Sequence, residues 1–116
     1  RAHRVDPIAS VINGGVPVAL GSDCTVTPCD PLLAIHAAVN HSLEQERISA
    51  DNALYAHTCG GAYLARNERT HGAIAAGYAA DLAFLEADPA EVEPSQIKEI
   101  PVLRTIYRGE TVFERS

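Results

Sequence analysis

The sequence predicts an α/β chain that ends in an antiparallel part, and three observations carry that reading. Up to about Asn67, apolar runs alternate with helix start and stop signals. The run Val16–Ser22 is almost continuously apolar and rich in β-branched residues, as expected of a strand buried on both faces. From Thr70 the helical periodicity gives way to short β-type runs.

Taken in order, Asp6-Pro7 before Ile8–Ile12 predicts a short helix with Asp6 as its N-cap and Pro7 in its first turn, stopped by Asn13-Gly14-Gly15. The strand Val16–Ser22 follows and delivers Asp23 to its C-terminal tip. In sheets and barrels of parallel strands the C-terminal tips handle ligands and metals, so Asp23 is a candidate site residue. The plainer alternative is that Asp23 caps a turn.

Asp30-Pro31 opens a second helix, on which Leu32, Ile35, Val39 and Leu43 recur at three- and four-residue spacing. Ser49 caps a third, from about Ala50 to Arg66, with Leu54, His57, Gly61 and Leu64 along one side. Gly60 and Gly61 inside it each cost about 1 kcal/mol relative to alanine, which predicts close approach of another backbone. Beyond Thr70, Gly72–Gly77, Ala80–Leu85, Val102–Tyr107 and Thr111–Phe113 are β-type runs, the last two joined as a hairpin through Arg108-Gly109-Glu110. An acidic connection, Asp88–Pro94, leads to about one helical turn around Ser95–Lys98.

Composition excludes several function classes. The chain has 116 residues, a net charge of −6 and 47% hydrophobic content, which fits a globular domain with a modest core. Its nine basic residues are scattered, which argues against nucleic acid as a partner. No apolar run reaches the roughly 20 residues of a membrane helix, and Arg1-Ala-His-Arg4 lacks the apolar centre of a signal peptide, so a cytoplasmic location is expected. Three cysteines, an odd number, fit reduced thiols. The chain has no methionine and begins with Arg1, so both ends read as possible cuts in a longer product.

Other chemistry-bearing residues are weaker. Cys24, Cys29, His36 and His41 form a C-x4-C-x6-H-x4-H string, but zinc fingers space their Cys and His pairs by about twelve residues. His36 and His41 would also lie roughly 140° apart around the predicted helix. Cys24 as a nucleophile with His57 or His36 as base has no pattern to support it. His57 reads as a core histidine, His3, His71 and Tyr107 stand alone, and Glu44–Arg47 reads as a solvated helix end.

The ordered succession Gly15–Asp23, Asp30-Pro-Leu-Leu33, Arg47-Ile-Ser49, Ala53-Leu54, Thr58, Gly61-Ala62, Gly72-x-Ile-x-x-Gly77-x-x-Ala80-Asp81-Leu82, Asp88-Pro89 and Thr105-x-x-x-Gly109 resembles the C-terminal end of a metal-dependent amidohydrolase of the YtcJ-like branch. Tyr78 departs from the usual lysine at a position expected to be exposed. The resemblance implies the last βα unit of a (β/α)8 barrel in residues 1–69, and in residues 70–116 the C-terminal strands of a composite β-sandwich. It implies that Asp23 lies beside a divalent metal, zinc by expectation, and activates the attacking water. The family's remaining ligands, a His-x-His pair, a bridging lysine or acid and two later histidines, would lie upstream of Arg1.

One carboxylate does not hold a catalytic metal, which typically takes three protein ligands, so the chain alone is expected to bind none and to be inactive. The implied parent hydrolyses carbon–nitrogen bonds other than peptide bonds in a small amide-type molecule. A non-catalytic, oligomerising module of the same fold is the alternative. Homo-oligomerisation is expected because Val16–Ser22 would lack both parallel neighbours.

Overall fold

Six residues are too few for a helix to hold itself together in water, so α1 (Ile8–Asn13) depends on what surrounds it. The computed structural model describes residues 6–116, so His3 and the basic N-terminus fall outside the described part. Pro7, not Asp6, occupies the N-cap of α1, and no side chain within the helix caps it. Asp6 sits one residue too early, at φ 46°, and supplies only its carbonyl, to the Ile8 N–H at 2.7 Å. The stop is as the sequence predicts, with Gly14 at the C-cap and Gly15 at φ 77°.

The segment from Val16 to Ser22 is the principal departure. It forms no β-ladder, because no described strand lies beside it to exchange backbone hydrogen bonds. Three contacts hold it instead. The Val16 N–H donates to the Val11 carbonyl at 3.3 Å, and the Leu20 N–H to the Ala56 carbonyl at 3.2 Å. Gly60 lies against the Val18 carbonyl so closely that a Cβ there would sit 2.3 Å from the oxygen. The close backbone approach expected at the glycine pair is therefore real at Gly60, while Gly61 has nothing within 4 Å.

Helix α2 (Pro31–Val39) starts as the sequence dictates: the Asp30 carboxylate accepts from the Leu32 and Leu33 N–H groups at 3.1 and 3.2 Å, and Pro31 fills the first position. It ends at Asn40, so Leu43 falls outside it, and a 3-10 turn follows at Glu44–Glu46. Ser49 caps the next helix through the Asn52 N–H at 3.1 Å. The single long helix expected there is two, α3 (Ala50–His57) and α4 (Cys59–Leu64), which break at Thr58, φ −108° and ψ −83°. The Thr58 hydroxyl donates back to the Leu54 carbonyl at 2.8 Å, a local bond that competes with helix continuation. The buried side of the pair is made by the small residues Ala53, Ala56, Gly60 and Ala62. Leu54 and Leu64, expected on the apolar side, are exposed.

Gly72–Gly77 forms no strand: both glycines take φ near 88°, at 89° and 87°, and Ile74 between them is exposed. A three-stranded antiparallel sheet follows, of β1 (Leu82–Leu85), β2 (Val102–Tyr107) and β3 (Glu110–Glu114), in that spatial order. The hairpin turn between β2 and β3 is the two residues Arg108 and Gly109, at φ 50° and 83°, with Tyr107 paired to Glu110. Two positive φ values match the strand twist that favours such turns. Between β1 and β2, the 3-10 turn Pro94–Glu99 packs on α2, where the Asn40 side-chain amide donates to the Pro94 carbonyl at 2.9 Å. Ile97 on that turn is 1% exposed and joins Ala9, Ile35, Ala38, Ile48 and Ala53 in one core cluster.

Candidate functional site

Asp23 stands where the held segment gives way to a turn. Its φ of 51° is a left-handed conformation that Asp tolerates better than most residues, and its carbonyl accepts from the Val26 N–H at 2.8 Å. The turn is closed by the Thr27 hydroxyl on the Ser22 carbonyl and by the Cys24 N–H on the Ser22 hydroxyl at 3.3 Å. Asp23 is exposed, and among the described residues no hydrogen bond or ion pair engages its carboxylate.

Beside it lies a concavity of about 590 Å³, walled by Ile8 and Val11 of α1, by Val18 and Leu20, and by Leu33 and Ala34 of α2. Asp6, Asp23, Asp30 and His41 bring polar groups to it. Asp30 is already committed to capping α2. The His41 Nδ1 lies 3.1 Å from the Leu43 N–H.

The Cys/His string does not converge. Cys24 and Cys29 are exposed thiols, His36 on α2 lies beside the Asn40 side chain at 3.4 Å, and His41 falls beyond the helix end. Among the described residues no three His, Cys, Asp or Glu side chains are arranged to hold a metal ion. His57 is partly buried and its Nε2 has no partner among the described residues; burial lowers its pKa from the ordinary 6.5 and favours the neutral ring. His71 does have neighbours: Nδ1 is 2.8 Å from the Thr70 hydroxyl and Nε2 3.8 Å from the Asp81 carboxylate. Tyr107 is exposed beneath the Arg108 guanidinium, 5.3 Å from its ring centre. Tyr78, expected to be exposed, is half-buried and donates its hydroxyl proton to the Glu68 carbonyl at 3.0 Å.

Glu46, within the charged run expected to be solvated, is 2% exposed. It accepts from the Ser10 N–H at 2.9 Å and from the Ser10 hydroxyl. The hydroxyl bond first, then the backbone bond, hold its carboxyl below the usual glutamate value of 4.5. The two residues are 36 apart, so no local pattern could announce the pair.

Comparison with known proteins agrees with the ordered motifs. The amidohydrolase family profile matches residues 1–113. YtcJ of Bacillus subtilis, an amidohydrolase by name, is 33% identical across 92% of this chain and 22% of its own length. The N-substituted formamide deformylase of Arthrobacter pascens is 32% identical across 97% of this chain and 22% of its own length. An imidazolonepropionase of Salmonella heidelberg is 33% identical across 95% of this chain and 27% of its own. The crystal structure of an amidohydrolase from Thermotoga maritima superimposes with a TM-score of 0.74 at 26% identity, over 93% of this chain and 26% of that one. The chain therefore spans about a quarter of the length of the relatives it matches. On the family match over nearly its whole length, this chain belongs to the amidohydrolase family.

Proposed function

We propose that the chain is the C-terminal part of a metal-dependent hydrolase that cleaves carbon–nitrogen bonds other than peptide bonds in a small amide-type molecule. Family membership supports the reaction class, and one relative is named for deformylating N-substituted formamides. In this reading residues 1–69 are the last barrel segment and residues 70–116 belong to a composite β-sandwich, in a cytoplasmic enzyme. The observation that carries it is the Asp23 carboxylate, which no described residue engages, held in a left-handed turn at the end of a segment fixed at Val16, Val18 and Leu20.

Asp23 offers a hard oxygen ligand with no competing partner among the described residues, and so fits as one member of a set; those residues supply no second and third donor around it. The remaining donors belong to the rest of the enzyme. When bound, a divalent ion such as zinc lowers the pKa of a water molecule toward neutrality. Asp23 would orient an attacking water, take its proton at a carboxylate oxygen and return it to the departing nitrogen. Apolar side chains of α1 and α2 line the concavity beside it.

The test is hydrolysis of a panel of small N-acyl and cyclic amides by the full-length polypeptide, with and without exhaustive chelation. The reading expects amide cleavage that chelation abolishes and zinc restores. Cleavage of none of them, or cleavage insensitive to chelation, would refute it.

A second reading is favoured by one observation: all five residues of the outer strand β3 are exposed, and an open strand edge is a template for pairing. In that reading the chain is a non-catalytic module that self-associates.

A further inference from the structure

We propose that Glu46 is a positioning residue, which clasps α1 and thereby fixes the run from Ser10 to Asp23. The inference rests on the role of Asp23 proposed above.

A carboxylate 2% exposed and outside the lining of the concavity demands a reason, since burying a charge is costly unless hydrogen bonds compensate for it. The compensation comes from Ser10, in the first turn of α1, through its N–H at 2.9 Å and its hydroxyl. Helix α1 has no capping side chain of its own, no acidic residue in its first turn, and Pro7 at its N-cap. Glu46 therefore supplies, from 36 residues away, the negative group and acceptor that the start of a short helix lacks.

The clasp reaches Asp23 through the chain. Val16 begins the delivering segment and is bonded to the Val11 carbonyl of α1, so the position of α1 sets where that segment starts. Ile8 and Val11 also wall the concavity beside Asp23. Ala9, adjacent to the clasped residue, is in the core cluster with Ile35 and Ile48, and α1 packs on the turn Glu44–Glu46, so the clasp holds α1 to that turn. A change at Glu46 leaves the Asp23 turn and its hydrogen bonds intact and alters only what they stand on.

The test compares Glu46→Ala, Glu46→Gln and Ser10→Ala in the full-length polypeptide, by hydrogen exchange and by amide hydrolysis. Glu46→Ala should raise exchange of peptides spanning residues 8–23 by about ten- to hundredfold, the factor for losing hydrogen bonds to a charged acceptor. Peptides of β1, β2 and β3 should stay unchanged. Turnover should fall while KM moves little, and Glu46→Gln, which keeps an acceptor oxygen, should recover most of both effects. Ser10→Ala, the milder variant, should show the same pattern at smaller size if Glu46→Ala does not fold. Uniformly raised exchange, unchanged exchange over residues 8–23, or local loosening with wild-type turnover would each overturn the proposal. Failure of the Asp23 reading is separately visible: Asp23→Asn would then keep turnover, whatever Glu46→Ala does to exchange.

Discussion

Replacing Gly60 with alanine is a sharp probe of how the Asp23 segment is held. Within a helix the change gains about 1 kcal/mol from reduced backbone entropy. Against that, the new Cβ would lie 2.3 Å from the Val18 carbonyl oxygen and 3.4 Å from the Ala19 Cα. Ordinary contact starts near 3.4 Å, so α4 and the segment must part by about 1 Å, and the obstacle is backbone that cannot rotate away. Overpacking of this kind costs about 1–3 kcal/mol, and a backbone obstacle puts it at the upper end. The net expectation is a loss of about 1–2 kcal/mol. Gly61→Ala, with nothing within 4 Å, should instead gain up to about 1 kcal/mol. Urea denaturation of the two variants beside the parent reads both signs in one experiment. A Gly60→Ala protein as stable as the parent, or a Gly61→Ala protein less stable than Gly60→Ala, would refute the packing argument.

Other consequences are as direct. Ile97→Ala, at 1% exposure between the turn Pro94–Glu99 and α2, should cost about 2–5 kcal/mol, measured as a shift in urea midpoint. Stability should fall on acidification in two stages. His57, its pKa lowered from 6.5 by burial, contributes fully above that value and less as pH falls below it; Glu46, lowered from 4.5 by Ser10, contributes fully above 4.5 and loses its share as pH drops further. Equilibrium denaturation from pH 8 to pH 3 checks this, and Glu46→Gln should flatten the lower stage. The 116-residue chain alone should sediment as a dimer or larger at tens of micromolar, through β3 or the Val16–Ser22 segment; a stable monomer would remove the self-association reading.

What the sequence made legible was what short-range chemistry controls. Asp30-Pro31 and Ser49 announced helix starts because a capping side chain needs only its own next three residues. Arg108-Gly109 announced a hairpin, and the glycine pair announced a close approach that the structure locates at Gly60. Asp23 ends an apolar run in the sequence, and among the described residues no hydrogen bond or ion pair engages its carboxylate. What stayed hidden depended on distant partners. Val16–Ser22 has strand composition, but a strand exists only through a ladder. The break at Thr58 sits inside a sequence whose helical periodicity is unbroken, and the small residues it turns inward gave a weaker signal than Leu54 and Leu64. Glu46 looked like one charge in a solvated run because Ser10, which accounts for its burial, is on another helix.

The central claim is that Asp23 moves the water proton, and turnover of Asp23→Asn in the full-length polypeptide tests it most directly. Asparagine also tolerates the left-handed φ of 51°, so the fold and urea midpoint should be kept. Removing a general base typically costs about 10²- to 10⁴-fold in rate, and the account predicts a fall of that size. Turnover within about twofold of the parent, where a base's loss would cost at least ~10²-fold, would contradict it.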